Sequence, residues 1–274
     1  MTPTALTIAG SDSGGGAGIQ ADLKTFAALG VYGTSAIAAI TAQNTVGVTA
    51  VLALEADLVT AQIEAVAGDI QIHATKTGML ATAAIVEAVA AAIADLDLPN
   101  VVVDPVMVAT SGDRLVDDEG IRTLRVELLP RARVVTPNIP EAEALSGMRI
   151  TSSDTAREAA RRIAAMGPSA VIVKGGHSPG DEIVDLLLDG GHFHEFRTTR
   201  VATRHTHGTG CTFASAIAAF LALGRSLPEA TALAQAYVVG AVRHGIPVGR
   251  GHGPLDHFWR FRSHIRSNSE HDRT

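Results

Sequence analysis

Short runs of β-branched and other apolar residues alternate along the chain with longer, Ala-rich stretches of helical periodicity. Short segments that are apolar throughout are typical of strands buried on both faces of a parallel sheet. The alternation predicts an α/β fold in which a central, mostly parallel sheet lies between layers of helices. The predicted strands are Leu6–Ala9, Val31–Ala42, Ile70–Thr75, Val101–Asp104, Arg133–Thr136 and Val171–Lys174, and the predicted helices are Ile19–Leu29, Leu58–Ala67, Ala83–Ala94, Asp118–Leu128, Thr155–Met166, Phe213–Leu223 and Glu229–His244.

The later part of the chain predicts a β-hairpin and then a polar tail. Glu182–Leu188 and His192–Arg197 are joined by Asp189-Gly190-Gly191, a turn-forming sequence, and we expect this hairpin at the late edge of the sheet. No repeat or linker divides the chain before its polar end. We therefore expect a single domain over residues 1–264 and a disordered tail over residues 265–274.

Composition narrows the class of protein. The 274 residues are 46% hydrophobic and 18% charged, which is enough apolar material for one large core. A single cysteine forms no internal disulfide, and the N-terminus lacks a signal-peptide pattern, so we expect a cytoplasmic protein. No apolar run is long enough and free enough of charge to span a membrane. The formal net charge of −6 argues against a nucleic-acid partner.

The segment from His205 to Thr212, His-Thr-His-Gly-Thr-Gly-Cys-Thr, joins two glycines to the only cysteine of the chain. It precedes a predicted helix, so unpaired N–H groups at the helix start would favour a bound phosphate. The same field should lower the pKa of Cys211 and favour its thiolate. An ordinary helix start with a buried small residue would have the same sequence.

A second glycine-rich turn, Gly10 to Asp22, follows the first predicted strand. Its segment Gly16–Ala21 matches the dinucleotide-binding pattern, which would indicate a dehydrogenase. No acidic residue follows at the distance that this pattern requires, and no Gly-Lys-Ser/Thr closes a nucleotide-binding P-loop. We interpret the segment as a turn that lets a ligand approach the main chain.

Seven motifs, in this order along the chain, resemble the hydroxymethylpyrimidine/phosphomethylpyrimidine kinases of thiamine biosynthesis, a family of ribokinase-like enzymes. The resemblance extends from about Leu6 to His244. The motifs begin at Ala9 (AGSDSGGGAGIQAD), Thr41 (TAQN), Lys76 (KTGML), Asp104 (DPVM), Thr136 (TPN), Val173 (VKGGH) and Thr206 (THGTGCT).

The resemblance implies a ribokinase-like three-layer sandwich, the use of ATP and Mg²⁺, and a homodimer. It implies phosphorylation of 4-amino-5-hydroxymethyl-2-methylpyrimidine and then of its monophosphate. A pyridoxine or pyridoxal kinase, or an enzyme with both activities, would use a similar site, and this alternative stays open. A ligand-binding regulator that has lost the chemistry is disfavoured because Cys211 and its glycines are intact.

The resemblance also implies a pyrimidine-binding set of residues. Gln43 is its chemical centre, because one side-chain amide both donates and accepts hydrogen bonds, as an aminopyrimidine edge requires. For Met79 and Val106, ordinary core packing is the competing interpretation. The remaining contacts that the resemblance implies are Gly10 and Ala17.

The resemblance also implies the residues that bind Mg²⁺ and the nucleotide phosphates. Asp104 ends an apolar strand, where a carboxylate suits Mg²⁺ or its waters, and Glu141 is the second metal-site residue. Asn138 and Lys174 are implied on the nucleotide side. A helix start at Asn138, with Pro140 early in that helix, would equally explain the first of these, and a surface lysine at a strand end would explain the second.

For the chemistry we predict that Cys211 is the general base toward the hydroxymethyl group. Gly208, Thr209 and Gly210 form the anion hole for the transferred phosphoryl group. Other ribokinase-like enzymes commonly have aspartate at the position of Cys211. The small polar segment Ala109–Arg114 is a candidate mobile lid over the phosphates, or a static surface loop.

Overall fold

A computed structural model describes residues 2–108, 116–177 and 180–262. The candidate lid and the predicted tail lie outside these residues. The strands are β1 (Thr4–Ala9), β2 (Tyr32–Ile37), β3 (Ala39–Gln43), β4 (Val48–Ala53), β5 (Ala74–Thr77), β6 (Val101–Val103), β7 (Val134–Val135), β8 (Ala170–Val173), β9 (Glu182–Asp189) and β10 (His192–Thr199). The helices are α1 (Gly18–Ala28), α2 (Ala56–Ala67), α3 (Ala83–Asp95), α4 (Asp118–Thr123), α5 (Ile139–Ser146), α6 (Ser153–Ala164), α7 (Thr209–Ala222) and α8 (Leu227–Arg243), with a π-helical turn (Leu124–Leu128) after α4.

Eight of these strands form one sheet, in the spatial order β10-β9-β8-β7-β6-β5-β1-β2. The strands from β2 to β8 in this order run parallel, and β9 and β10 are antiparallel to their neighbours. The predicted mostly parallel sheet and the predicted edge hairpin are thereby confirmed. No helix in the described part of the chain is long and apolar enough to cross a membrane.

Helices cover both faces of the sheet. Along β6, Val101 and Val103 belong to the core that contains residues of α2, α3, α5 and α6, whereas Val102 belongs to the core that contains residues of α1, α7 and α8. This alternation follows from the strand period of two, because successive side chains point to opposite faces. Strands buried on both faces explain the continuous apolar runs of the sequence, and the predicted three-layer arrangement is confirmed.

The predicted strand Val31–Ala42 is wrong as a single element. The chain leaves the main sheet after β2, and β3 pairs with β4 in a separate two-stranded sheet. Ala38 lies at the break, where its N–H donates to Ala9 O at 2.9 Å and its carbonyl accepts from Leu54 N–H at 2.9 Å. Strand β4 was not predicted, because most of its residues are exposed and face no core.

The predicted strand Ile70–Thr75 is displaced, since the observed strand is β5. Its third residue is Lys76, whose side chain is fully buried in an ion pair with Asp22. A charged residue inside a buried strand interrupts the apolar pattern on which the sequence prediction rests.

The order of the strands fixes the place of a site. From β1 the chain moves to β2 on one side and later returns to β5 on the other side of β1. The connections after two adjacent parallel strands therefore diverge, which opens a crevice at their carboxyl ends. The glycine-rich turn after β1 and the segment after β5 lie at this crevice.

Candidate active site

A cavity of about 930 Å³ opens at the carboxyl ends of the parallel strands. Every residue that the sequence predicted for the site contributes to its wall, so the structure brings the two glycine-rich turns and the charged strand ends together. These lining residues are Gly10, Ala17, Gln43, Met79, Asp104, Val106, Asn138, Glu141, Lys174, Gly208, Thr209, Gly210 and Cys211.

Gly208 is the N-cap of α7 and has a left-handed backbone, with φ +85°. A Cβ atom at this position would lie 1.8 Å from the carbonyl oxygen of Gly16. Glycine is therefore required at position 208 for its dihedral angles and for the close approach of the turn after β1.

The first turn of α7 leaves some N–H groups open. The hydroxyl and N–H of Thr209 both donate to Thr206 O, at 2.6 and 3.2 Å. The amides of Gly210 and Cys211 have no hydrogen-bond partner in the described part of the chain. Gly210 and Cys211 thus offer the N–H donors expected of a helix N-terminus that binds an anion. The N–H and hydroxyl of Thr209, which was also predicted to bind the phosphoryl group, are instead bonded within the turn.

Cys211 is half-buried and lies on the cavity wall. Burial raises the pKa of its thiol to about 11, although the Lys76 charge and a hydrogen bond from the Gly18 amide lower this pKa; Asp22 and Asp104 raise it further. The prediction that the helix terminus lowers the pKa of Cys211 is wrong for this structure, because the loss of hydration outweighs the favourable field.

Gly10 and Met79 lie in contact where β1 and β5 end. The Gly10 N–H donates to Met79 O at 3.0 Å, and a Cβ atom on Gly10 would lie only 2.3 Å from Met79 Cε. The thioether of Met79 therefore covers the main chain of Gly10. Both residues line the cavity, as does half-buried Val106, so these positions form an apolar wall.

Gln43 ends β3 at a shift in the pairing register with β4. Its main chain is held by Ser13, whose hydroxyl donates to Gln43 O and accepts from Gln43 N–H, both at 2.7 Å. The Thr41 hydroxyl lies 2.7 Å from Ser11 O and 3.3 Å from Gln43 Oε1. A hydroxyl has one hydrogen, which goes to the nearer acceptor, so the side-chain amide of Gln43 remains able to bind a ligand.

Lys174 and Asp104 form an ion pair inside the site. Lys174 Nζ lies 2.9 Å from Asp104 Oδ1, and only 14% of the lysine side chain is exposed. The surface-lysine interpretation is therefore wrong. The Thr136 hydroxyl donates to the same carboxylate oxygen at 3.2 Å, while Oδ2 of Asp104 has no hydrogen-bond partner in the described ranges. This open oxygen lies on the side of Gly210, where an added Cβ would be 3.8 Å away.

Asn138 and Glu141 begin α5 through a reciprocal capping box. Glu141 N–H donates to Asn138 Oδ1 at 2.9 Å, and Asn138 N–H donates to Glu141 Oε2 at 2.8 Å. The helix-start interpretation, with Pro140 in the first turn, is confirmed. Burial raises the pKa of Glu141 to about 7, against the lowering effect of Lys174. Among the described residues, no three His, Cys, Asp or Glu side chains are grouped so as to hold a metal ion.

The apolar end of the cavity lies along the late helices and strands. The residues at this end have no distinctive sequence pattern, because the same apolar types occur on any buried helix face or edge strand. They are Ile183, Val201, Phe213, Val238, Val239 and Val242.

Asp12 and His207 were not predicted as a pair. The Asp12 carboxylate accepts from His207 Nε2 at 2.8 Å and from the amides of Gly14, Gly16 and Ala17 at 2.8 to 3.0 Å. Although burial alone would raise it, these hydrogen bonds hold the pKa of Asp12 below its ordinary value. The available signal was one charged residue, Asp12, in a glycine-rich turn, but its partner His207 lies far away in the sequence.

The phosphomethylpyrimidine kinase family matches the sequence over residues 12–256. The chain belongs to this family. It is 51% identical over 255 residues to the hydroxymethylpyrimidine/phosphomethylpyrimidine kinase of Bacillus subtilis, an alignment that covers 93% of this chain and 94% of the relative. It is also 51% identical over 252 residues, 92% of its length, to the thiamine biosynthesis bifunctional protein ThiED of Geobacter sulfurreducens, and it spans about half, 51%, of that longer protein.

A solved structure of similar fold is the pyridoxal kinase of Staphylococcus aureus in complex with AMP-PCP and pyridoxal. It superposes with a TM-score of 0.88 at 37% sequence identity, covering 96% of each chain. These likenesses confirm the predicted family, the ribokinase-like fold and the expectation that the protein is a kinase, a phosphotransferase.

Proposed function

We propose that this enzyme transfers the γ-phosphoryl group of ATP to the hydroxymethyl oxygen of 4-amino-5-hydroxymethyl-2-methylpyrimidine, and then phosphorylates the monophosphate to the diphosphate, in thiamine biosynthesis. One observation carries the proposal: a single cavity is lined by the Gln43 amide, the open amides of α7 and the Lys174–Asp104 pair. The relative from Bacillus subtilis bears both activities in its name.

The pyrimidine ring lies against Met79 and Val106, with its polar edge toward Gln43. The apolar wall at Gly10 and Met79 suits a flat ring, and the free amide of Gln43 supplies one donor and one acceptor to the ring edge. Ala17 lines the same part of the cavity through the turn that Asp12 holds. This arrangement selects a ring that carries an amino group beside a ring nitrogen.

The nucleotide lies on the side of the late helices. Its adenine packs on the apolar residues of α8, and its phosphates approach Lys174 and the N-terminus of α7. Support for ATP comes from the similar fold of the Staphylococcus aureus kinase, which was solved with AMP-PCP. The amides of Gly210 and Cys211 stabilise negative charge on the transferred phosphoryl group, and Lys174 adds a full positive charge.

The residues at the phosphate end suit Mg²⁺. Asp104 has an open carboxylate oxygen, and Glu141 is a second carboxylate on the same cavity wall. Magnesium in phosphoryl-transfer sites is commonly held by one or two carboxylates together with waters and substrate phosphates, which this pair can provide. When bound, the metal would neutralise negative charge on the phosphates of the nucleotide. Asn138 holds Glu141 in place through the capping box.

Cys211 removes the proton in the first transfer. The thiol ionises as the substrates bind, its thiolate accepts the hydroxyl proton, the alcohol oxygen attacks the γ-phosphorus, and ADP leaves. One proton is released to solvent for each product molecule. The second transfer uses a phosphate oxygen that is already ionised at neutral pH, so it needs little help from a base.

A pyridoxal kinase activity is the second candidate, and the observation that favours it is the superposition on the Staphylococcus aureus enzyme. The test is to incubate the purified chain with ATP and Mg²⁺ and follow products by ³¹P NMR, with the pyrimidine alcohol and pyridoxal in parallel. We expect a pyrimidine monophosphate and then a diphosphate. Phosphorylation of pyridoxal without any pyrimidine product would contradict the proposal.

We further propose that the chain works as a cytoplasmic homodimer. The small sheet of β3 and β4 exposes Ile40, Val51 and Leu52, which are 43%, 48% and 66% accessible, and Ile40 lies opposite Leu52 in the pairing of the two strands. Clustered apolar side chains of this size are typical of an interface between subunits. Light scattering should give twice the 28.3 kDa mass of the chain. A monomer at micromolar concentration would contradict the dimer and leave the kinase assignment intact.

A further inference from the structure

A fully buried ion pair lies beneath the cavity. Lys76 Nζ is 2.8 Å from Asp22 Oδ2, and neither side chain is exposed. The same Oδ2 accepts from the Thr7 hydroxyl at 2.6 Å, and Oδ1 accepts from the Ser215 hydroxyl at 2.5 Å. The Asp22 carboxylate is thus fixed by β1, β5 and α7, and it fixes the ammonium group of Lys76 in turn.

The ammonium group of Lys76 is less well satisfied than the carboxylate. It has three N–H donors, and Asp22 is its one hydrogen-bond partner in the described part of the chain. Gly78 leaves space for it, because a Cβ there would lie 2.7 Å from Lys76 Nζ. A buried ammonium group with unused donors is costly unless a second anion lies close.

Cys211 is placed to be that second anion. Lys76 and Cys211 line the same cavity. Ser215 follows Cys211 by four residues in α7, which puts both on one face of the helix, and Ser215 is bonded to the carboxylate that holds Lys76. Hydrogen bonds from Ser215 to Asp22 and from Lys76 to Asp22 therefore link Lys76 to the face of α7 that carries the Cys211 thiol.

We propose that Lys76 is a positioning residue for phosphoryl transfer: its ammonium group, fixed by Asp22, stabilises the Cys211 thiolate. The inference rests on the proposed role of Cys211 as the base. It gives a function to a lysine within a buried strand, where an apolar residue would avoid the cost of a buried charge.

The charges around the thiol act in opposite directions. Lys76 on β5 lowers the pKa of Cys211, while Asp22 on α1 and Asp104 after β6 raise it. The charge of Lys174, after β8, is also coupled to Cys211. Removing Lys76 and removing Asp22 should therefore shift the ionisation of the thiol in opposite directions, which a general loosening of the fold would not do.

Alkylation of Cys211 by iodoacetamide tests this directly, because the chain has one cysteine and only the thiolate reacts. The full-length chain is alkylated between pH 7.5 and 9.5 with mass-spectrometric detection. We expect Lys76→Met to react about tenfold more slowly at each pH, which corresponds to about one pKa unit, and Asp22→Asn to react several-fold faster. Thr7→Val removes a hydrogen bond to Asp22 without changing a charge and should stay within about twofold of the parent rate.

A double variant, Asp22→Asn with Lys76→Met, guards against misfolding caused by an unpaired buried charge. It should react faster than Lys76→Met and more slowly than the parent chain, because Lys76 has the larger effect on the thiol. Parent-like or faster alkylation of Lys76→Met and of the double variant would overturn the proposal. So would shifts of Lys76→Met and Asp22→Asn in the same direction.

The rates at which Lys76→Met phosphorylates the alcohol and the monophosphate separate this inference from the proposed function. If Lys76→Met slows alkylation and also slows phosphorylation of the alcohol more than that of the monophosphate, both ideas are supported. If alkylation slows and the two transfers fall equally, Lys76 still stabilises the thiolate, but Cys211 is not the base.

Discussion

His207 Nε2 lies 2.8 Å from Asp12 Oδ2, and this contact joins two segments that are 195 positions apart in the sequence. One segment is the glycine-rich turn after β1, and the other leads into α7. Both line the cavity. This pair and the amides that Asp12 accepts from therefore hold together the two segments in which we propose the pyrimidine subsite and the anion hole.

Replacing Asp12 by alanine removes the acceptor of His207 and of three buried or half-buried amides. We expect the free energy of unfolding to fall by about 2 to 4 kcal/mol, because donors that lose a charged acceptor are left unsatisfied. Urea unfolding measures the change. Lys24→Ala is the matched control, since it removes an exposed hydrogen bond to Gly15 O in the same turn and should cost under about 1 kcal/mol. Equal losses in the two variants would contradict this role of Asp12.

The glycines of the anion hole should differ in their tolerance of a methyl group. Gly208→Ala places a Cβ 1.8 Å from Gly16 O in a left-handed residue, so we expect a loss of about 2 to 5 kcal/mol of stability. Gly210→Ala brings a Cβ to 3.4 Å from Lys174 Nζ, an ordinary contact, and the protein should fold normally. Thermal melts of both variants decide the point. A Gly208→Ala protein as stable as Gly210→Ala would show that the two turns do not approach as closely as described.

Gln43 should contribute to binding of the pyrimidine and not to binding of the nucleotide. Gln43→Leu keeps the size of the side chain and removes both hydrogen-bonding groups, so we expect KM for the pyrimidine alcohol to rise about 10- to 100-fold. KM for ATP should change by less than about twofold. Thr49→Val, which alters an exposed hydrogen bond on the neighbouring strand, is the control. A parallel rise of both KM values would place Gln43 outside the pyrimidine subsite.

The two transfers should differ in their dependence on pH. Because burial raises the pKa of Cys211 to about 11, the thiolate fraction increases about tenfold per pH unit throughout the neutral and moderately alkaline range. The value of kcat/KM for the alcohol, which reports ionisation of the free enzyme, should therefore rise between pH 7 and 9. The rate with the monophosphate should change little, because its phosphate is ionised above pH about 6. A level profile for the alcohol over this range would argue against a thiolate base.

Local sequence determines much of this fold. The apolar runs of β6 and β8 locate buried parallel strands, and the Asp-Gly-Gly turn locates the β9–β10 hairpin, because each signal lies within a few neighbouring residues. The displacement of β5 and the departure of β3 from the main sheet were missed. Both depend on partners elsewhere in the chain: Asp22 makes Lys76 acceptable in a buried strand, and Ala9 holds Ala38 at the break.

In the candidate site, too, some features follow from neighbouring residues in the sequence, whereas others depend on partners that only folding brings together. Glycines and strand-end polar residues located the cavity from sequence, since function in parallel α/β folds collects at strand ends. The ionisation of Cys211 was misjudged, because the helix start is visible in the sequence and the burial of the thiol is not. The pairs Asp12–His207 and Lys76–Asp22 could not be found from spacing, because folding alone brings their members together.

The most direct test of the central claim is the rate of each phosphorylation in Cys211→Ala, measured separately with the pyrimidine alcohol and with its monophosphate. Loss of a general base should slow the first transfer about 100-fold or more and leave the second within a few-fold of the parent enzyme. Cys211→Asp, which restores a base at this position, should recover most of the first activity. Equal losses in both transfers, with no recovery by aspartate, would contradict the account of Cys211 as the base for the alcohol.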